Sequence, residues 1–207
     1  MAKLKAPLMS LGASGALGKA VVYFPWKGID AVREYVIPAN PKSPDQVTQR
    51  GYVTDAVAAI HTAMADATKP ITSTDKSAYS LWAAALAIVM TWFNAAVRNY
   101  VDQKVAAKSP AVYRGGATTE ASGQLAVEVY SDDIDTGKIT AGNFKYGTSK
   151  TSLISTEAAT ITPADHKASA TITGLTNGTK YYWQFQPTTP AGYVGANSGI
   201  YYGKPHA

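Results

Sequence analysis

The 207-residue chain contains no cysteine, only three histidines, and charged residues at just 16% of positions. Without thiols there is no disulfide framework, thiolate metal site or cysteine nucleophile. His61, His166 and His206 are scattered, which leaves little material for a zinc site or a Ser–His relay. The carboxylates give no better start. Glu120 and Glu157 have no evident acidic partner with which to form a glycosidase pair. Asp132, Asp133 and Asp135 crowd before Gly137 but lack the later ligands of an EF-hand loop, so they read as solvated turn carboxylates. We therefore assign no catalytic, metal-binding or cofactor-binding residue and no cofactor. The expectation is an assembly or binding protein, not an enzyme.

Basic charge is also unevenly placed. The whole formal excess of +5 lies in residues 1–108, and residues 109–207 are balanced. There is no Lys/Arg run and no nucleic-acid-binding signature, so specific nucleic-acid recognition is not expected. The opening residues superficially resemble a signal peptide, but their apolar core is short and broken by Gly12, Gly15 and Gly18, and we read them as retained. SLGASGALGK (10–19) fails the phosphate-loop pattern, with Ala13 and Ala20 where glycine and a hydroxyl are required. It reads as an extended, flexible arm.

What is present falls into two halves. Residues 20–25 and 31–37 are rich in β-branched and aromatic residues and flank a turn at 26–30, which predicts a β-hairpin. A lone hairpin is marginal in water, so it must dock on something. After prolines 38, 41 and 44, Ser43 is placed as an N-cap, Pro44 at the first helical position, and Gln46 as the far end of a capping box. The helix from about Pro44 to Ala67 then presents Val53, Val57, Ile60 and Met64 as one stripe. A second helix is expected from about Ser73 to Ala107. Trp82, Leu86, Val89, Phe93, Val97 and Tyr100 form one stripe on it, and Leu81, Ala85, Ile88 and Trp92 form another. One partner helix cannot cover both, which predicts a helical hairpin with an apolar face left for another subunit. The run 81–97 is 17 residues long and holds six alanines, Thr91 and Asn94; a span needs roughly 20 apolar residues, so a membrane helix is not expected. Arg33 and Arg50, with Asn40, Pro41, Ser43 and Gln46, are expected to form a bracket fixing arm and hairpin to the helices.

Lys108-Ser109-Pro110 marks a shift to period-two alternation and glycine-punctuated turns, the pattern of a small all-β sandwich. Leu175-Thr-Asn-Gly178-Thr179-Lys-Tyr181-Tyr-Trp183-Gln-Phe185 resembles the E–F corner of a fibronectin type III domain. The resemblance implies that the Tyr181 hydroxyl ties the corner and that Tyr181, Trp183 and Phe185 alternate inward. Residues 143–149 then resemble strand C, 190–195 the F–G loop, and 198–202 strand G; a strand-B tryptophan is lacking, with Leu125, Val127 and Val129 there instead. In the N-terminal half, Lys27-Gly28, Val32-Arg33-Glu-Tyr35 and Pro38-Ala-Asn40-Pro41-Lys-Ser43, with Gln46 and Arg50, resemble short structural proteins of tailed phages and prophages.

These readings give an α+β multidomain chain. Residues 1–108 form an arm, β-hairpin and helical hairpin for docking and oligomerisation through Trp82, Leu86, Trp92 and Phe93. Residues 109–207 form a fibronectin III-like β-sandwich. The resemblances imply a virion structural protein, at the head surface, neck or tail, made in the host cytoplasm. Its partners would be copies of itself and other virion proteins, with weak host-surface glycan contact through Tyr182, Tyr193, Tyr201 or Tyr202 where their rings are exposed. The alternative is an exported cell-surface adhesion or carbohydrate-binding accessory module.

Overall fold

The computed structural model describes residues 3–4, 13–27, 29–37 and 42–206; the expectations for Gly12, Asn40 and Pro41 fall outside them. Among the described residues the chain is α+β, with three α-helices and three four-stranded antiparallel sheets. It divides into two compact units, Met1–Gln46 and Val47–Ala207.

In the first unit, β1 (Lys3–Leu4), β2 (Ala13–Leu17), β3 (Val21–Trp26) and β4 (Ile29–Glu34) lie in sequence order in one sheet. The hairpin is present as β3 and β4, with Val21 opposite Glu34 and Trp26 opposite Ile29. The glycine-bearing arm is not simply a loose extension: residues 15–17 pair with β3, Gly15 lying opposite Tyr23, and Ala13 and Ser14 pair with β1. Glycine and alanine carry little β preference of their own, so this strand is recruited by its neighbour.

The second unit holds the helices and the other two sheets. Helix α1 (Pro44–Ala65) begins as expected, with the Ser43 hydroxyl accepting the Gln46 N–H. Its buried positions are Ala56, Ile60 and Ala63, while Val53 and Met64 of the anticipated stripe stay exposed. The long second helix is instead two, α2 (Ser73–Ala85) and α3 (Trp92–Val105). Thr72 and Thr91 cap their starts, and Thr72 completes a reciprocal capping box with Asp75. Both end in the same way: Ala87 and Ala107 turn left-handed (φ 57° each), and the next N–H reaches back to Ala83 O or Gln103 O. The break removes the single stripe from Trp82 to Tyr100 and leaves Leu86 and Val89 exposed on the connecting loop.

From Tyr113 onward, one sheet is ordered β5 (Arg114–Ala121), β6 (Gln124–Tyr130), β10 (Lys167–Ile172), β9 (Thr160–Thr162). The other is ordered β12 (Tyr201–Gly203), β11 (Tyr181–Thr189), β7 (Ala141–Gly147), β8 (Ser155–Ala158). The two face each other across one core in which Leu125, Val127 and Val129 meet Phe144, Trp183 and Phe185. Trp183 and Phe185 point into this core fully buried and Tyr181 is half-buried; Gln184, on the other face, is buried too and donates to Ser198 O. Helices and sheets interlock. Ala78 of α2 belongs to the sheet core, and Val112, just before β5, packs on the helical core of Ile60, Tyr79 and Ala95.

Candidate functional site

The seam between α2 and the sheets is polar, which is unusual for a buried contact and demands full pairing. Asp75 is completely buried. Its carboxylate accepts from Thr72 N and Thr72 Oγ1 (2.8 Å each), from Gly115 N and Gly116 N (2.9 Å each), and from the Tyr201 hydroxyl (2.8 Å). One side chain thus closes the start of a helix and two strand edges. Gly116 is required there because any Cβ would overlap the Tyr201 ring. Beside it, the Tyr79 hydroxyl donates to Tyr113 O and accepts from Tyr113 N, both at 3.1 Å, and the Tyr113 hydroxyl donates to Ala196 O at 2.7 Å. Burial pushes all three phenols, Tyr79, Tyr113 and Tyr201, upward, and the Asp75 charge adds to the effect on Tyr79 and Tyr201.

A second polar cluster lies at Arg114, which is almost fully buried. Its guanidinium takes Asp132 through two nitrogens, Nη1 at 2.9 Å and Nη2 at 2.5 Å, and Asp66 through Nη2 at 2.8 Å. Burial opposes the Arg114 charge, but the two carboxylates more than offset it and its pKa rises. Asp66 is held down to about 2, first by the Lys69 and Thr68 backbone N–H groups and then by Arg114. The Arg114 hydrogen bond likewise lowers Asp132. Asp133 receives the Tyr193 hydroxyl at 3.2 Å and lies 3.3 Å from Lys138 Nζ. Burial, helped by Asp133, lifts Tyr193 to about 12. Asp132 and Asp133 are therefore not merely solvated turn carboxylates. Lys69, over the Tyr130 ring at 4.1 Å, and His166 complete an opening of about 520 Å³ around them. Among the described residues, no cluster of three or more His, Asp or Glu is gathered as a metal ion would need.

The third feature is a surface groove beside α2. It is walled by Ser77 and Leu81 of α2, Thr118 and Glu120 of β5, and Tyr202 of β12, and it continues to Trp92 at the head of α3. Tyr202 is 50% exposed, with Lys180 Nζ 3.7 Å above its ring centre and the Tyr182 ring 6.5 Å away.

The anticipated site residues are redistributed. Of the tyrosines assigned to glycan contact, Tyr201 is buried against Trp183 in a stacked pair at 4.4 Å. A YY dipeptide places one ring on each face of a strand, and here the first faces inward. Tyr193 is half-buried and engaged by Asp133, and Tyr182 is half-buried beside exposed Tyr202. Trp82, Trp92 and Phe93 are half-buried against the helical core within this chain, and Trp92 and Phe93 meet edge to face at 5.6 Å. This corrects the expected two-sided apolar helix pair: most of that surface is already used internally, with Leu86 left exposed. Exposed His61 meets the Phe93 ring at 5.9 Å. Arg33 is exposed and lies 5.2 Å over the Phe24 ring of the neighbouring strand, and Arg50 is exposed on α1. Asp75 and Arg114 were missed as tie points. Asp75 had only its helix-start position as a signal, and nothing local marks a carboxylate that reaches strands 40 residues away.

Among the described residues, no helix is long and apolar enough to cross a membrane. No family model, curated protein or solved structure matches this chain.

Proposed function

We propose that the chain is a structural component of a tailed-phage virion, in the head surface, neck or tail, that docks and oligomerises through its N-terminal sheet and displays a fibronectin III-like module. One observation carries the reading. Of the residues between 15 and 37 whose burial is described, none is buried, although Val21, Val22, Tyr23, Phe24, Trp26 and Val32 are strand residues. Trp26 is 62% exposed and Val36 70%. A sheet needs an apolar face covered to be stable, and exposed apolar area of this kind contributes roughly 25 cal/mol per Å² when a partner removes it from water. Copies of the same sheet, or other virion proteins, supply that cover. Repetition in a symmetric particle strengthens each modest contact through high effective concentration.

The fibronectin III-like reading is supported by strand order. The eight strands from β5 to β12 pair first-second-sixth-fifth in one sheet and eighth-seventh-third-fourth in the other. The Tyr181 hydroxyl accepts the Thr176 N–H at 3.2 Å, a tie across the corner before β11 of the tyrosine-corner kind.

Light scattering tests the assembly role: the whole chain is expected to associate, and residues 47–207 to remain monomeric and folded. A monomeric whole chain at high concentration would overturn that role. Immunogold labelling of released particles tests the location, and absence of the chain from them would overturn the virion assignment.

A further inference from the structure

The corner before β11 carries Asn177-Gly178, the single Asn-Gly dipeptide of the sequence. Such a pair is reactive without any partner, because no Cβ on the glycine hinders its nitrogen from reaching the asparagine side chain. Gly178 N bonds to Asn177 Cγ, and the displaced side-chain nitrogen leaves as ammonia, taking the Gly178 amide proton with it. Water then opens the resulting succinimide ring at one of its two carbonyls. The products are aspartate, or isoaspartate with the main chain rerouted through the side chain.

Both reacting groups are engaged in the fold. Thr179 N donates to Thr176 O at 3.2 Å and Gly178 has a φ of 80°, so residues 176–179 form a tight turn with glycine at its left-handed position. Gly178 N donates to Pro205 O at 2.8 Å. Asn177 Oδ1 accepts from Gly123 N at 2.7 Å, and Nδ2 donates to Ser122 Oγ at 3.3 Å, both at the tip of the β5–β6 hairpin. The Gly123 N–H polarises the side-chain carbonyl and by itself would favour attack. The restraint comes from the anchored side chain and from the nucleophile, whose proton is committed to the end of the chain. Pro205 is buried beyond the last strand, and the neighbouring Lys204 N is held by Glu120 Oε1 at 2.7 Å. Asn177 and Gly178 themselves are exposed, so water reaches them.

We propose that Asn177 is a self-modification site, with water as the co-reactant, which the docked Lys204-Pro205 segment keeps silent and its release opens. A chain whose end has lifted is then marked irreversibly. Aspartate adds a negative charge and loses the donor to Ser122, while isoaspartate lengthens the turn backbone beside the Tyr181 tie to Thr176 N. The mark needs neither association nor a particle, so it stands or falls apart from the assembly role.

Incubation in mildly alkaline buffer, then trypsin and mass spectrometry of residues 168–180, reads the exchange of –NH2 for –OH at Asn177. The full chain is expected to convert about tenfold or more slowly in buffer than in concentrated urea. Removing residues 204–207 should speed conversion about tenfold, and Ser122→Ala, which keeps every backbone tie, about threefold. Asn197, followed by Ser198, is the internal control and should stay unconverted in Ser122→Ala. Equal rates in buffer and urea, no acceleration in either variant, or conversion of Asn197 in step with Asn177 in Ser122→Ala would overturn the proposal.

Discussion

Strand β3 of the N-terminal sheet and the central strands of the paired sheets after residue 113 carry similar Val, Tyr, Phe and Trp residues, yet they differ sharply in burial. In the second unit, Trp183, Phe144, Phe185 and Leu125 lie fully inside, because each sheet has another to face and α2 seals the side. In the first unit, Tyr23 and Phe24 are only half-buried and Trp26 stands in solvent. Composition does not separate the two. What sets the second unit apart is that its two sheets supply each other's opposing layer, since a sheet is a half-finished core until something packs on its apolar face. It is held by polar ties as much as by packing, whereas none of residues 15–37 whose burial is described is buried.

The largest test of that contrast is Asp75→Ala. It leaves Gly115 N, Gly116 N and the Tyr201 hydroxyl without their acceptor, the last two fully inside the protein. Urea unfolding is expected to show a loss of roughly 3–5 kcal/mol for residues 47–207. A loss below about 1 kcal/mol would mean that helix and sheets are coupled by packing alone. Trp26→Ser with Val32→Ser should do the reverse, weakening association about tenfold or more in sedimentation while leaving the unfolding of the second unit unchanged.

Acid should also discriminate between the units. Asp66 and Asp132 have pKa values depressed in the folded state, so their contribution is present above the ordinary carboxylate range near 4 and fades as pH falls toward 2. Melting temperature against pH should fall over that window, and the Arg114→Met variant should flatten the fall. The smallest expected effect is at Ala87, whose left-handed φ of 57° costs an L-residue what glycine avoids. Ala87→Gly is expected to gain about 0.5–1 kcal/mol by thermal melting.

Where local chemistry decided the structure, the sequence was readable. β-branched residues around Trp26 to Asp30 marked the hairpin and Ser43-Pro44 marked a helix start, while the Tyr181 tie and the inward Trp183 and Phe185 were implied by the resemblance of Leu175 to Phe185 to a fibronectin type III corner, and the hydrogen bond and the burial are both present. Where distant partners decided it, the signal was absent. The apolar run 81–97 contains no glycine or proline at the α2–α3 break, because alanine takes the left-handed turn there. Strand β2 is a run of small residues with no preference to betray it. The pairing of Arg114 with Asp66, and of Asp75 with Gly116, spans 48 and 41 residues, and no periodicity encodes such distances. Of the residues around the groove beside α2, Tyr202 was expected to meet a ligand and Trp92 another subunit. Its hydroxyl wall needed α2 to be laid against β5 and β12.

One consequence of that arrangement concerns crowding. β5 and β12 are outermost strands, and rows of unused amides invite neighbouring molecules to zip on. Asp75 occupies the Gly115 and Gly116 amides, and Ala78 O takes the amide of Ile200, next to β12. The helix therefore works as a guard rail along the flank of the module. Along that stretch an incoming strand finds the amides of Gly115, Gly116 and Ile200 already spoken for.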